Sequence, residues 1–133
     1  MALDTKTDRC WVCGPGNPSG LRVPFEPVGD NGSRAVYVAR EEHGGWPGVL
    51  HGGVALALMD EALGWSLYFH GAGGMTARFE ARFRRQIPIG STLVIRAWTI
   101  DRRARLIKAR AEIRLDTDQG PLLVEADASM FLA

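Results

Sequence analysis

The sequence predicts an α+β fold in which one long central helix is wrapped by a curved antiparallel sheet of about six strands. Three observations predict it. Residues 51–69 form the longest apolar run in the chain, rich in alanine, leucine and methionine, with apolar side chains on every face of a helix instead of one stripe. From Met75 onward the chain reads only as strands and turns. The links between those strands are hairpin-short, which makes the sheet predominantly antiparallel. A single apolar helix has to be covered, and one sheet curled around it is the economical cover. With 133 residues, 46% of them hydrophobic, the chain has room for one core. Residues 1–20 read as a turn-rich lead-in and residues 21–133 as the single domain.

Taken in order, residues 10–20 are punctuated by Gly and Pro every few positions. Residues 21–26 alternate apolar and polar, and Pro24 assigns that strand to an edge or a bulge. Gly29, Asp30, Asn31 and Gly32 give a hairpin turn, and residues 33–39 return as a second strand. Residues 41–50 form an irregular Gly- and Pro-rich loop that delivers the chain to the helix. Gly71, Gly73 and Gly74 supply stop signals at its end. Residues 75–84 alternate cleanly, which predicts a buried face of Ala77, Phe79, Ala81 and Phe83 and a wet face of Arg78, Glu80, Arg82 and Arg84. Three further strands follow, at 92–100, 105–115 and 121–131.

Lys and Arg total 16 against 15 Asp and Glu, a net charge of +1, so the chain lacks the field that nucleic acid binding wants. Residues 1–9 are polar and charged, with no secretory core, and a cytoplasmic location is the expectation. The central apolar run is short of the ~20 residues of a membrane span and carries two acids, Asp60 and Glu61, near its middle. An ionised carboxylate inside an apolar helix asks for a reason. Cys10 and Cys13 form a lone C-x-x-C. A structural zinc site wants four ligands, no second C-x-x-C or H-x-x-x-H exists to complete it, and His43 and His51 would have to be recruited from afar. No strand precedes the motif for a thioredoxin-type site. The pair therefore reads as two semi-buried thiols in a turn, with no metal and no cofactor expected.

The segment from Gly45 to Gly53 (Gly-Trp-Pro-Gly-Val-Leu-His-Gly-Gly), with Asp60 nine residues after His51 and Glu61-Ala62-Leu63-Gly64 following, resembles the hotdog-fold acyl-CoA thioesterases of the PaaI and four-hydroxybenzoyl-CoA thioesterase group. Residues 76–84, Pro88-Ile89-Gly90 and the lead-in Cys-x-x-Cys-Gly extend the likeness over almost the whole chain. The resemblance implies an acyl-CoA substrate, the Gly52 N–H as oxyanion donor, and Asp60 as general base or nucleophile. Gly53, like Gly52, has no side chain to obstruct a carbonyl. Glu61 points about 100° away from Asp60 and competes for its role. Thr76 aligns with a hydroxyl that holds water or carboxylate in similar enzymes. His51 either contacts the thioester or anchors the loop. Arg84 and Arg85, with Arg102, Arg103 and Arg105, are candidates for the phosphates of coenzyme A. Several relatives carry Asn where this chain has Gly45, a gap that His43 is placed to fill.

From Gly52 to Asp60 the helix rises ~12 Å, whereas a thioester carbon must lie about 3 Å from each group. One protomer cannot supply both. A two-fold pairing of antiparallel helices is able to bring Asp60 of one chain beside Gly52 of its twin, and the resemblance implies that arrangement, so a homodimer is the minimum assembly expected, with a tetramer left open. Two other readings stand beside the thioesterase: a hydratase or dehydratase, which wants an acid and base pair, and an acyl-CoA-binding module in which Asp60 is structural.

Overall fold

The computed structural model describes residues 8–133. Six antiparallel strands form one sheet: β1 (Glu26–Val28), β2 (Gly32–Val38), β3 (Gly74–Phe83), β4 (Thr92–Arg103), β5 (Leu106–Leu115) and β6 (Leu122–Leu132). The order across the sheet is β1-β2-β4-β5-β6-β3. The helix α1 (Gly52–Tyr68) lies between β2 and β3 in sequence and packs on the sheet against β2, β3, β4 and β5.

Alternation makes this packing. Leu93, Ile95, Ile113, Val124 and Met130 project from one face of the sheet and are fully buried against Leu58, Met59 and Leu63 of α1. Polar atoms in this layer are satisfied locally: Ser33 Oγ donates to Ala62 O at 2.6 Å, and Ser66 Oγ to Leu63 O at 2.6 Å. Leu58 is 0% exposed. Leu58→Ala is expected to destabilise the fold by about 2–5 kcal/mol, read as a lowered midpoint in urea with an unchanged slope.

Three expectations need correction. Residues 21–26 are not a strand of the sheet. Arg22 has φ 56°, a left-handed kink that ends extended pairing, and Leu21 N and Val23 N donate instead to Trp11 O and Val12 O of the lead-in. Val12, Leu21 and Val23 are all buried, which packs the lead-in onto the same core; the sheet starts only at Glu26, with Pro27 on its outer edge.

The predicted buried face of β3 is open. Phe79 and Ala81 are half-buried, Ala77 is exposed, and Phe83 is 49% exposed. The register against β6 shifts between Thr76 and Arg78, breaking the alternation, and β3 is an edge strand.

Nor is α1 covered on all sides. A sheet covers one side of a helix, and the stripe of Gly53, Leu56, Ala57, Asp60 and Gly64 stays half-buried or exposed, with Asp60 itself exposed. Among the described residues no helix is long and apolar enough to cross a membrane.

Candidate functional site

The head of α1 is built by the loop before it. A short 3-10 turn, Glu41–His43, is followed by a bridge between Gly44 and Leu50 and a bond from Gly45 N to Val49 O at 2.8 Å. Gly48, at φ 78°, makes the reversal that a side chain would resist. The loop closes when His51 N donates to His43 O at 3.0 Å. His51 then caps the helix: its Nδ1 accepts from Gly53 N at 2.8 Å, and its carbonyl accepts from Val54 N and Ala55 N. Gly52 N–H is left with no acceptor among the described residues. Of the two glycines predicted to face a carbonyl, Gly53 thus has its amide engaged by His51, while Gly52 keeps its donor.

A Cβ at Gly45 would lie 3.1 Å from His51 Cα, so the loop presses against the capping histidine at the position where the resemblance led to an expected Asn. His43 does not replace that side chain. Its Nδ1 lies 2.6 Å from Tyr37 Oη and its Nε2 3.4 Å from Arg40 Nη2, and its ring lines a separate hollow with Arg22 and Glu42. The tautomer that satisfies both contacts carries its proton on Nδ1 and accepts from Arg40 at Nε2. Burial, and then the Arg40 charge, hold the imidazole below its ordinary 6.5. The unfolded chain therefore binds more protons than the folded one just below pH 6.5. This contribution to stability is complete above that value and is lost as pH falls through the folded pKa. Chemical denaturation at stepped pH should show a shallower fall between about pH 7 and pH 5 in His43→Gln than in the parent.

Gly52 opens onto a cavity of about 420 Å³ walled by Trp46, Val49, Phe83, Arg84 and Arg85. Both Arg84 N and Arg85 N donate to Leu123 O, which anchors this end of β3. The Arg84 guanidinium pairs with Glu125 at 2.9 Å and, by that hydrogen bond first, holds the Glu125 carboxyl below the usual range. Two of the five candidate arginines are thus brought to the helix head. The others are not: Arg102 lines a hollow with Ser66 and His70, ~21 Å along the helix from Gly52, Arg103 pairs with Asp101, and Arg105 donates to Leu132 O.

Asp60 accepts a hydrogen bond from Thr76 Oγ1 at 2.7 Å, which joins the middle of α1 to the start of β3. It takes part in none of the ion pairs among the described residues. Thr76 orients one carboxylate oxygen, and the other has no hydrogen-bond partner among the described residues. Glu61 turns away, toward the lead-in, where both its oxygens lie 3.5 Å from Cys10 Sγ. Burial, followed by the Cys10 hydrogen bond and the Glu61 charge, pushes the Cys13 thiol pKa well up. Sequence reasoning missed this meeting of Glu61 with the cysteines, and missed Phe83 as a cavity wall; of the four aromatics whose presence hints at an apolar cavity in the sequence, Trp46, Trp65, Tyr68 and Phe69, Trp46 alone lines the Gly52 cavity. The contact of Glu61 with Cys10 joins positions 51 apart, with no local signal in either segment.

The family model described as "Thioesterase superfamily" matches residues 47–121. A mouse acyl-coenzyme A thioesterase, THEM5, is 41% identical over 51 residues, 38% of this chain and 21% of that enzyme. A thioesterase superfamily protein of known structure is 28% identical, with TM-score 0.85 over 95% of this chain and 61% of its own. The chain therefore spans less than two thirds of the length of either. The E. coli PaaI protein from the phenylacetic acid degradation operon, at 15% identity and TM-score 0.77 over 85% of this chain and 80% of its own, shares the fold. So does a Streptococcus pneumoniae hypothetical thioesterase crystallised with coenzyme A, at 17% identity and TM-score 0.76 over 84% of this chain and 85% of its own. One helix on a six-stranded antiparallel sheet is the hotdog architecture. With more than half its length matched by the family model, the chain belongs to the thioesterase superfamily.

Proposed function

We propose that the protein is an acyl-CoA thioesterase that works as a homodimer, with two composite sites across the two-fold axis. The observation that carries this reading is the uncovered stripe of α1, where an acid oriented by Thr76 sits among Leu56, Ala57 and Gly64. An apolar helix face with an unpaired carboxylate suits contact with a second copy and a substrate better than bulk water. The half-exposed Phe83 beside Gly52 extends the same apolar surface. In the composite site the thioester oxygen accepts from Gly52 N–H of one protomer, at the positive end of the α1 dipole. Asp60 of the other takes a proton from attacking water, or attacks the carbonyl carbon itself. The C–S bond then breaks and coenzyme A leaves as its thiolate; with water as nucleophile the free acid forms in the same step, and with Asp60 as nucleophile a water molecule then hydrolyses the mixed anhydride to free acid and regenerated carboxylate. Arg84 and Arg85, at the cavity rim, suit the phosphates of that leaving group. The acyl-CoA enzyme from mouse and the coenzyme A-bound S. pneumoniae protein are similar proteins with matching ligand chemistry.

Purified protein offered a panel of acyl-CoAs should release free thiol with at least one of them and elute as a dimer or larger by light scattering. Binding without thiol release would replace this reading with an acyl-CoA-binding module. Loss of enoyl absorbance without thiol release would replace it with a hydratase.

A further inference from the structure

The lead-in carries a second constellation, separate from the Gly52 cavity. Cys10 and Cys13 straddle a tight turn closed by Gly14 N donating to Cys10 O at 2.9 Å, and Cys13 N points at Cys10 Sγ at 3.5 Å. Only glycine fits after Cys13, because a Cβ at Gly14 would come within 2.6 Å of Cys10 O. This turn aims both sulfurs at the middle of α1, where Glu61 meets them. One ligand atom from each of Cys10, Cys13 and Glu61 lies within 4.8 Å of the others. A tetrahedral zinc ion with Zn–S of about 2.3 Å and Zn–O of about 2.0 Å places sulfur and oxygen about 3.5 Å apart, and its two sulfurs about 3.8 Å apart. The separation of Cys10 Sγ from the Glu61 carboxylate is 3.5 Å.

We propose that Cys10, Cys13 and Glu61 form a zinc site that pins the lead-in to α1. Two thiolates and one carboxylate are a donor set of zinc type, soft enough to exclude magnesium and calcium. The fourth position faces a hollow of about 220 Å³ between Gly64, Trp65, Tyr68 and Gly74, with room for a water ligand. On binding, each thiol gives its proton to solvent, the Cys10 contact with Glu61 changes from a hydrogen bond to shared coordination, and no electron is transferred. The ion joins residues 51 positions apart and seats the segment whose Trp11 and Val12 carbonyls hold Leu21 and Val23. None of this depends on the reaction assigned to the Gly52 end.

The test uses the full chain, reduced and stripped of metal, titrated with zinc alone and then with cobalt as a spectroscopic stand-in. The expected result is one equivalent bound, protection of two thiols from a thiol reagent, and a cobalt charge-transfer band of two-thiolate intensity. Saturating zinc should raise the melting midpoint by roughly 10 °C at about a thousandfold excess over Kd. Cys13→Ser should abolish stoichiometric binding. Glu61→Gln, a change at a half-buried position that leaves the turn intact, should weaken zinc at least about tenfold and alter the cobalt spectrum while keeping both sulfur ligands. Zinc affinity in Glu61→Gln within about twofold of the parent would overturn the site, since two cysteines alone would then account for the binding. A one-thiolate cobalt spectrum, no stoichiometric uptake, or a Cys10–Cys13 disulfide in protein purified without air would each overturn it as well.

Discussion

Gly52→Pro is expected to lower kcat for thioester hydrolysis by about 10²–10³ while leaving the fold intact. The substitution removes one atom of interest, the amide hydrogen. Gly52 is the first residue of α1, where a missing N–H breaks no helical bond and a fixed φ suits the helix. Proline also restricts the residue before it to extended backbone, and His51 is already extended at φ −61° and ψ 131°. The nearest obstacle to a Cβ here is Phe83 Cζ at 3.6 Å, an ordinary contact. A folded variant with unchanged melting behaviour and parental kcat would remove Gly52 N–H from the chemistry. The companion Gly52→Ala, which keeps the amide, should retain most of the parental kcat.

Asp60→Asn is expected to lower kcat by about 10²–10⁴, because the amide can still accept from Thr76 Oγ1 but can neither take a proton nor attack a carbonyl. Exposure of Asp60 in the protomer means that folding should not suffer. The two variants together test the composite site. When Asp60→Asn and Gly52→Pro proteins are mixed and allowed to exchange subunits, half the dimers become hybrids. In each hybrid one site collects both defects and the other collects neither, so activity should rise to about a quarter of the parent from two nearly inactive stocks. Exchange confirmed by mass spectrometry with no recovery would show that each protomer carries its own complete site.

The limits of α1 were legible because they are written locally: His51 followed by two glycines at one end, and Gly71, Gly73 and Gly74 at the other, bracket an unbroken run of helix formers. The five longer strands were legible for the same reason, with alternation between turns of Gly, Asp and Asn. What escaped was non-local. The failed strand at residues 21–26 turns on Arg22, whose left-handed backbone carries no marker in its side chain and follows from docking onto Trp11 and Val12. The open face of β3 depends on a bulge opposite β6 and on which strand ends up at the margin of the sheet. At the site, Thr76 and Asp60 were both named from the resemblance, but that they touch is a consequence of β3 passing beside α1. The pairing of His43 with Tyr37 is a local contact that also escaped: six residues apart, it depends on how the 3-10 turn folds back on the end of β2, which neither residue type signals.

The strand order also governs how the chain can assemble. Among the described residues β3 hydrogen-bonds along its length only to β6, so Gly74 pairs with Leu132 and Phe83 with Val124. During synthesis β3 leaves the ribosome well before β6 exists, and its ladder groups must wait unpaired until β4, β5 and then β6 have been made. Closure of the sheet is therefore a late, long-range event, and a chain halted before β6 keeps an unpaired strand edge along the whole of β3.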